Sequence, residues 1–166
     1  MKLKYTLSMV LLAIGSFFAL GRKREECENA ISSTVGTHAN GIVRLAAEEA
    51  ITTRYLLVKK GTAADGVLIN AAATTRPWGI CQDEPASGDQ CAVGLLGAAT
   101  GTLKMVAGAA CTAGSKVWTT TAGKVTGTYA AGAFCVGIAV TSAAADGDPI
   151  EVAHHIPLLD ASGTTL

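Results

Sequence analysis

The chain has 166 residues, room for one ordinary domain plus a tail, and 49% of them are hydrophobic, with 19 glycines and few large aromatics. Thirteen basic side chains balance thirteen acidic ones, and outside Arg22-Lys23-Arg24 no basic block is large enough for a nucleic-acid footprint, so nucleic acid is not expected as a partner. Zero net charge gives little self-repulsion, which suits a protein that packs into an assembly.

Lys2 and Lys4 precede an almost uncharged apolar run from Tyr5 to Leu20, and Ala19-Leu20-Gly21 has the small residues of a cleavage site. Residues 1–21 thus read as a segment of their own. Export is opposed by the basic cluster that follows at once, and the run is shorter than the roughly 20 residues of a spanning helix. Three readings stand: a signal or anchor, an arm that buries Leu7, Val10, Leu11, Ile14 and Phe18 against an assembly or a partner, or an artefact of start-site choice. Any membrane contact is expected only through residues 5–20. Residues 22–42, polar and without periodicity, read as a linker.

From Ala50 onward short runs of β-formers alternate with Gly, Asp, Thr and Ser at intervals of about ten residues. The predicted strands are Tyr55–Lys59, Gly66–Ile69, Trp78–Cys81, Gln90–Leu96, Thr102–Val106, Lys116–Thr119, Lys124–Thr126, Phe134–Val140 and Pro149–Ala153. Thr121-Ala122-Gly123 predicts a tight hairpin, with glycine supplying positive φ. No helix longer than three turns is expected after Ala50. The fold class is all-β, a compact sandwich or barrel over residues 43–159, with a tail at 160–166.

Self-comparison gives the domain an internal structure. Ala50-Ile51-Thr52, Leu57-Val58, Gly66-Val67, Trp78-Gly79-Ile80, Gly88-Asp89 and Val93 recur as Ala110-Cys111-Thr112, Val117-Trp118, Lys124-Val125, Val136-Gly137-Ile138, Gly147-Asp148 and Val152, at separations of 58 to 60 residues. Two tandem β units are expected, about 50–93 and 110–152, joined by Leu95–Ala109 and sharing one core. Gly88-Asp89 and Gly147-Asp148 are turn chemistry. Gly79 and Gly137 predict a bulge or a close backbone approach inside a strand. These repeated residues specify shape, and none needs a substrate to explain it.

The search for chemistry is negative. Cys27, Cys81, Cys91, Cys111 and Cys135 form no C-x-x-C pair of a zinc or redox site, and they read as small buried hydrophobes. No metal and no cofactor is expected. His154 and His155, as strand neighbours, should point to opposite faces, His38 lies in the linker, and no Cys or Ser has a signature placing it beside either of the paired histidines. Asp83 and Glu84 read as solvated carboxylates in a turn closed by Pro85. Gly108 to Lys116 fails the P-loop spacing, and Gly94 to Gly101 fails that of a dinucleotide turn. A hydrolase built from scattered residues has no legible nucleophile and base, so no catalytic residue is expected. Trp78 and Trp118 read as core or subunit-contact residues.

One resemblance runs through the domain. Ala50-Ile51-Thr52, Tyr55–Val58, Trp78–Pro85 (WGICQDEP), Gly88–Gly97 (GDQCAVGLLG), Lys104–Ala107, Ala113–Val117, Ala122–Val125, Val136–Ala139 and Ala143–Val152, taken in order, resemble the cement or head-decoration proteins of tailed-bacteriophage capsids. The likeness spans about Val43 to Pro157. It implies a compact β fold and a non-enzymatic protein of the virion, assembled in the host cytoplasm. It also implies a homo-oligomer, a trimer by expectation, that binds the major capsid protein on the outer shell and stabilises it. The N-terminal apolar run is foreign to that pattern and keeps a second reading open, an exported β-rich surface or fibre subunit of the cell envelope.

Overall fold

The computed structural model describes residues 40–159. The N-terminal segment with Leu7, Val10, Leu11, Ile14 and Phe18, the linker up to residue 39 with Cys27 and His38, and the tail from residue 160 lie outside the described residues.

The described residues are almost all strand and turn, as the punctuation of the sequence requires. Five strands, β1 (Ile42–Ala47), β2 (Leu57–Lys60), β3 (Gly66–Ile69), β4 (Gly79–Cys81) and β5 (Gln90–Leu95), close a barrel in the order β1-β3-β2-β4-β5. Five more, β6 (Leu103–Val106), β7 (Lys116–Thr119), β8 (Val125–Thr126), β9 (Phe134–Ala139) and β10 (Pro149–Leu159), form a second sheet in the order β6-β10-β9-β7-β8. Between β7 and β8 a single 3-10 turn covers Thr121–Gly123, with positive φ at Ala122 (59°) and Gly123 (72°). With Thr119 opposite Val125 and Thr120 N–H donating to the Lys124 carbonyl, Thr121–Gly123 is a three-residue hairpin loop, and glycine takes one of its left-handed positions.

The two sheets follow one plan. Read around the first barrel from β3, the order β3-β2-β4-β5-β1 becomes β8-β7-β9-β10-β6 in the second sheet. Registers agree pair by pair: Val58 with Gly79 answers to Val117 with Gly137, Cys81 with Val93 to Ala139 with Val152, and Leu45 with Cys91 to Met105 with Ile150. The first barrel is closed by a parallel ladder that includes Ala47 and Val67. At the matching place the second sheet has the single parallel bridge of Ala107 and Val125. Each unit therefore begins one strand before the landmarks that define the repeat, with β1 and β6, and the stretch Leu95–Ala109 contains β6 as well as the connection.

Alternation along the strands decides what goes inside. In the first barrel Val43, Ala47, Ile51, Val58, Val67, Cys81, Cys91 and Val93 form one buried cluster. In the second unit Leu103, Ala107, Cys111, Val117, Val125, Ala139, Ile150 and Val152 form another from the corresponding positions. Each unit thus has an interior of its own in place of the single expected core, and a smaller third cluster surrounds Trp118. The two interiors are interlocked: Leu57, Ile80 and Leu96 of the first unit lie in the second cluster, Val106 of the second unit lies in the first, and Tyr55 packs on both.

Gly79 and Gly137 have the same packing reason to be glycine. A Cβ on Gly79 would stand 2.5 Å from Val93 Cγ1 and 2.7 Å from the Gly94 carbonyl, and one on Gly137 2.6 Å from Val152 Cγ1 and 2.5 Å from the Ala153 carbonyl. Gly88 and Gly147 are needed for a different reason. Their surroundings are open, but φ is 90° and 93°, a conformation that side chains resist.

Candidate functional site

Surfaces that could meet a partner come from two features of the fold. The first is a bulge in β10, where pairing with β9 runs from Val152 to His154, breaks, and resumes at Leu158. The second is the backbone just before β4, where Trp78 donates its N–H to the Val58 carbonyl at 2.8 Å and accepts from Leu96 N–H at 3.1 Å. Together they place Trp78, Pro77, Leu96, Ile156 and Pro157 around one groove, with Lys60 and Arg76 beside them. Trp78 is 39% exposed and Ile156 56%. An indole, an isoleucine and two prolines edged by cations and by no carboxylate make a surface suited to apolar protein contact. Ile138 and Val140 at the end of β9, and Leu158 and Leu159 in β10, add further exposed aliphatic side chains.

The two tryptophans differ in this respect. Trp118 is only 3% exposed, inside a cluster with Ala133 and Cys135, its ring edge-on to Tyr129 at 5.0 Å. It is a core residue, buried on the face of β7 opposite Val117, where Ala133, Cys135, Ala73 and Tyr129 cover it.

The loops that follow β4 and β9 lie at equivalent ends of the two units. Gly88 N–H donates to the Ala47 carbonyl and Ala47 N–H to the Asp89 carbonyl, at 2.7 and 2.9 Å; Gly147, Ala107 and Asp148 repeat the pair at 2.9 Å each. In the second loop the Asp148 carboxylate also accepts the Ala144 and Ala145 N–H groups at 2.8 and 2.9 Å, and Lys124 pairs with Asp146 at 2.7 Å. Both loops are tied by these backbone hydrogen bonds to the end of the first strand of their unit.

Three polar groupings differ from the sequence expectation. His154 is the last paired residue before the bulge and His155 the first within it: Gly97 N–H donates to His154 Nδ1 at 3.0 Å, while His155 Nε2 lies 3.6 Å from Cys135 Sγ. A cysteine does sit beside a histidine, because β10 runs on past Ala153 and its irregularity carries His155 back over β9. Cys135 is wholly buried, so the pair offers a reagent no open sulfur. Asp83 is not simply solvated, since its two oxygens accept the Ala92 N–H at 3.0 and 3.2 Å; Glu84 remains at the surface, 3.7 Å from Arg54. Finally, the β4–β5 hairpin brings Cys81, Asp83 and Cys91 together, with one ligand atom of each within 4.8 Å of the others. Nine residues lie between the two thiols in sequence, so no short spacing signals the cluster.

Residues 48–154, from just after β1 to the bulge of β10, match the model of a protein family described as phage cement protein. The chain belongs to the phage cement protein family. That family is structural and its members belong to the virion. Among solved structures the chain is similar to the head fiber gp8.5 N base in bacteriophage phi29. The match has a TM-score of 0.55 and 20% identity, and it covers 72% of this chain and 97% of that one. At that identity the likeness speaks for the fold, a β domain of the same plan. No curated protein sequence matches.

Proposed function

We propose that this protein is a capsid decoration protein that binds the outer surface of an assembled phage shell, against the major capsid protein, and stabilises it without catalysing a reaction. The observation that carries the proposal is the groove around Trp78, an apolar surface on a domain of the cement family. Exposed tryptophan beside aliphatic side chains is the composition of an interface anchor, and a chain without net charge relies on such contact more than on electrostatic attraction.

The reading includes a homo-trimer, contacts from the loops Gln82–Asp89 and Thr141–Asp148, and an N-terminal segment that buries Leu7, Val10, Leu11, Ile14 and Phe18 in the assembly. A ligand that binds only the intact shell draws the equilibrium away from disassembly by mass action. Symmetry multiplies each small contact across the lattice. The test is reconstitution. Shells lacking the protein should break at lower temperature or under milder osmotic shock, and adding the protein back should restore them. Unchanged shell stability, or no binding to shells, would refute the proposal.

A further inference from the structure

The thiols of Cys81 in β4 and Cys91 in β5 are buried inside the first barrel, and Asp83 stands where β4 runs into the 82–89 loop. Cys81 Sγ is 3.5 Å from Asp83 Oδ1, and the three ligand atoms lie within 4.8 Å of one another. A tetrahedral zinc ion with bonds of about 2.3 Å to sulfur and about 2.0–2.2 Å to oxygen requires ligand-to-ligand edges of roughly 3.5–3.8 Å. The cluster needs to contract by no more than about an ångström to meet that shape.

A buried cysteine is ordinarily just a small hydrophobe, and the second unit shows what ordinary packing looks like here. Its corresponding residues are Ala139, Thr141 and Ile150. Ala139 and Ile150 fill the same interior positions with no sulfur. The Thr141 hydroxyl accepts the Glu151 N–H at 2.9 Å, as the Asp83 carboxylate accepts that of Ala92. The fold at this place is therefore satisfied by a methyl, a hydroxyl and a butyl group. Thiol, carboxylate and thiol are what the first unit adds beyond the needs of the barrel.

The geometry points to a binding site for a thiophilic divalent cation, zinc by its donor set, formed by Cys81, Asp83 and Cys91 with water in the fourth position. Because Ala92 N–H lies within reach of both Asp83 oxygens, one oxygen can keep that hydrogen bond while the other turns to the metal, so the backbone orients the ligand. On binding, two S–H bonds break, two zinc–sulfur bonds form and two protons leave to solvent. Burial holds both thiols protonated, Cys81 up to about 12, and the metal–thiolate bonds have to offset that cost. The bound ion would tie β4, β5 and the start of the 82–89 loop at one point, fixing the loop without touching a partner.

The full chain, stripped with a chelator, should take up one equivalent of zinc in competition with a chromophoric chelator and unfold at a higher temperature. Cobalt in its place should give a thiolate-to-metal charge-transfer band of two-sulfur intensity. The variant Cys81→Ala/Asp83→Thr/Cys91→Ile carries the second unit's own residues, so it should fold, and it should lose at least tenfold in zinc affinity and lose the cobalt band. Cys111→Ala and Cys135→Ala should retain both, which separates this cluster from the other buried thiols. If the triple variant does not fold, the cobalt spectra of Cys81→Ala and Cys91→Ile decide. Absence of saturable zinc binding by the full chain, or zinc binding that survives loss of these residues, overturns the site. Because the readouts use the isolated protein, they are independent of whether it binds shells.

Discussion

Tyr55 and Gly114 occupy the same turn of the two successive units, and both have left-handed backbone, with φ of 68° and 84°. Each donates its N–H at 2.7 Å to the carbonyl of a corresponding residue, Cys81 and Ala139. The second unit uses the residue the turn prefers. The first accepts the strain because the ring of Tyr55 packs on both hydrophobic clusters and lies 5.8 Å from Lys104 Nζ. Tyr55→Ala loses the ring and keeps the strain, whereas Tyr55→Gly loses the ring and relieves it. Urea unfolding should therefore find the alanine variant less stable than the glycine variant by about 1 kcal/mol. Equal stabilities would mean that the left-handed backbone costs nothing at this position.

The paired glycines should separate by mechanism. Gly79→Ala and Gly137→Ala force a methyl group onto backbone oxygen and a valine, and each should cost about 2–3 kcal/mol. Gly88→Ala and Gly147→Ala meet open space and suffer only from positive φ, about 1 kcal/mol each. Thermal unfolding of the four variants reads the difference.

Much of this was legible in the sequence. Eight of the nine strands read from it agree with the structure to within two residues at each end, Tyr55–Lys59 among them, and the turn glycines fall where Gly-Asp punctuation puts them. The sequence missed β1, because Ile42 follows a polar stretch and Ala46 to Ala50 has the composition of a helix start. The signal was there all the same, since Val43-Arg44-Leu45 stands 60 residues before Leu103-Lys104-Met105. Pro149–Ala153 was read too short, because the bulge breaks the alternation after Ala153 and Pro157 argues against a strand. The Cys81, Asp83 and Cys91 cluster and the contact of Cys135 with His155 depend on hairpin register, which residue spacing does not encode.

The tryptophans give the sharpest test of the docking surface. Trp118→Ala should destabilise the domain by about 3–5 kcal/mol, as emptying a core position does. Trp78→Ala should change stability by less than about 1 kcal/mol and weaken shell binding about tenfold or more if Trp78 anchors the contact. Sedimentation with purified shells, alongside an unfolding curve, measures both. A Trp78→Ala protein that binds shells normally would move the contact elsewhere.

Burial holds the imidazole of His154 below the ordinary histidine range, with the charge of neighbouring His155 adding to it and the Ala99 and Gly101 carbonyls working the other way. The folded state thus binds a proton less readily than the unfolded chain. The stabilisation is complete above the unfolded value of about 6.5 and declines as pH falls from there toward the folded value. Unfolding temperature measured from pH 8 to pH 5 should drop below about pH 6.5. In His154→Leu, which copies Leu95 of the first unit, that step should be absent.

Glu48 should act at lower pH. Its carboxylate accepts the Ala63 N–H and the Thr62 hydroxyl, both at 2.8 Å, and these hold its pKa below the usual carboxylate range. The contact favours folding above the unfolded carboxylate value and is lost as pH falls through the lower, folded one. Glu48→Gln should speed hydrogen exchange at the Ala63 amide at neutral pH, and the wild-type protein should show the same acceleration only in acid.

The ladders of the first barrel all close among residues 42 to 95, and none waits for a strand of the second sheet. A ribosome releases that stretch first. Domains commonly fold in the order they emerge, so the leading barrel can seal while the trailing strands are still being made. The later unit, held by one bridge between Ala107 and Val125 where its forerunner has a ladder, then assembles against a surface that already exists, with Leu57 and Ile80 waiting as its first contacts.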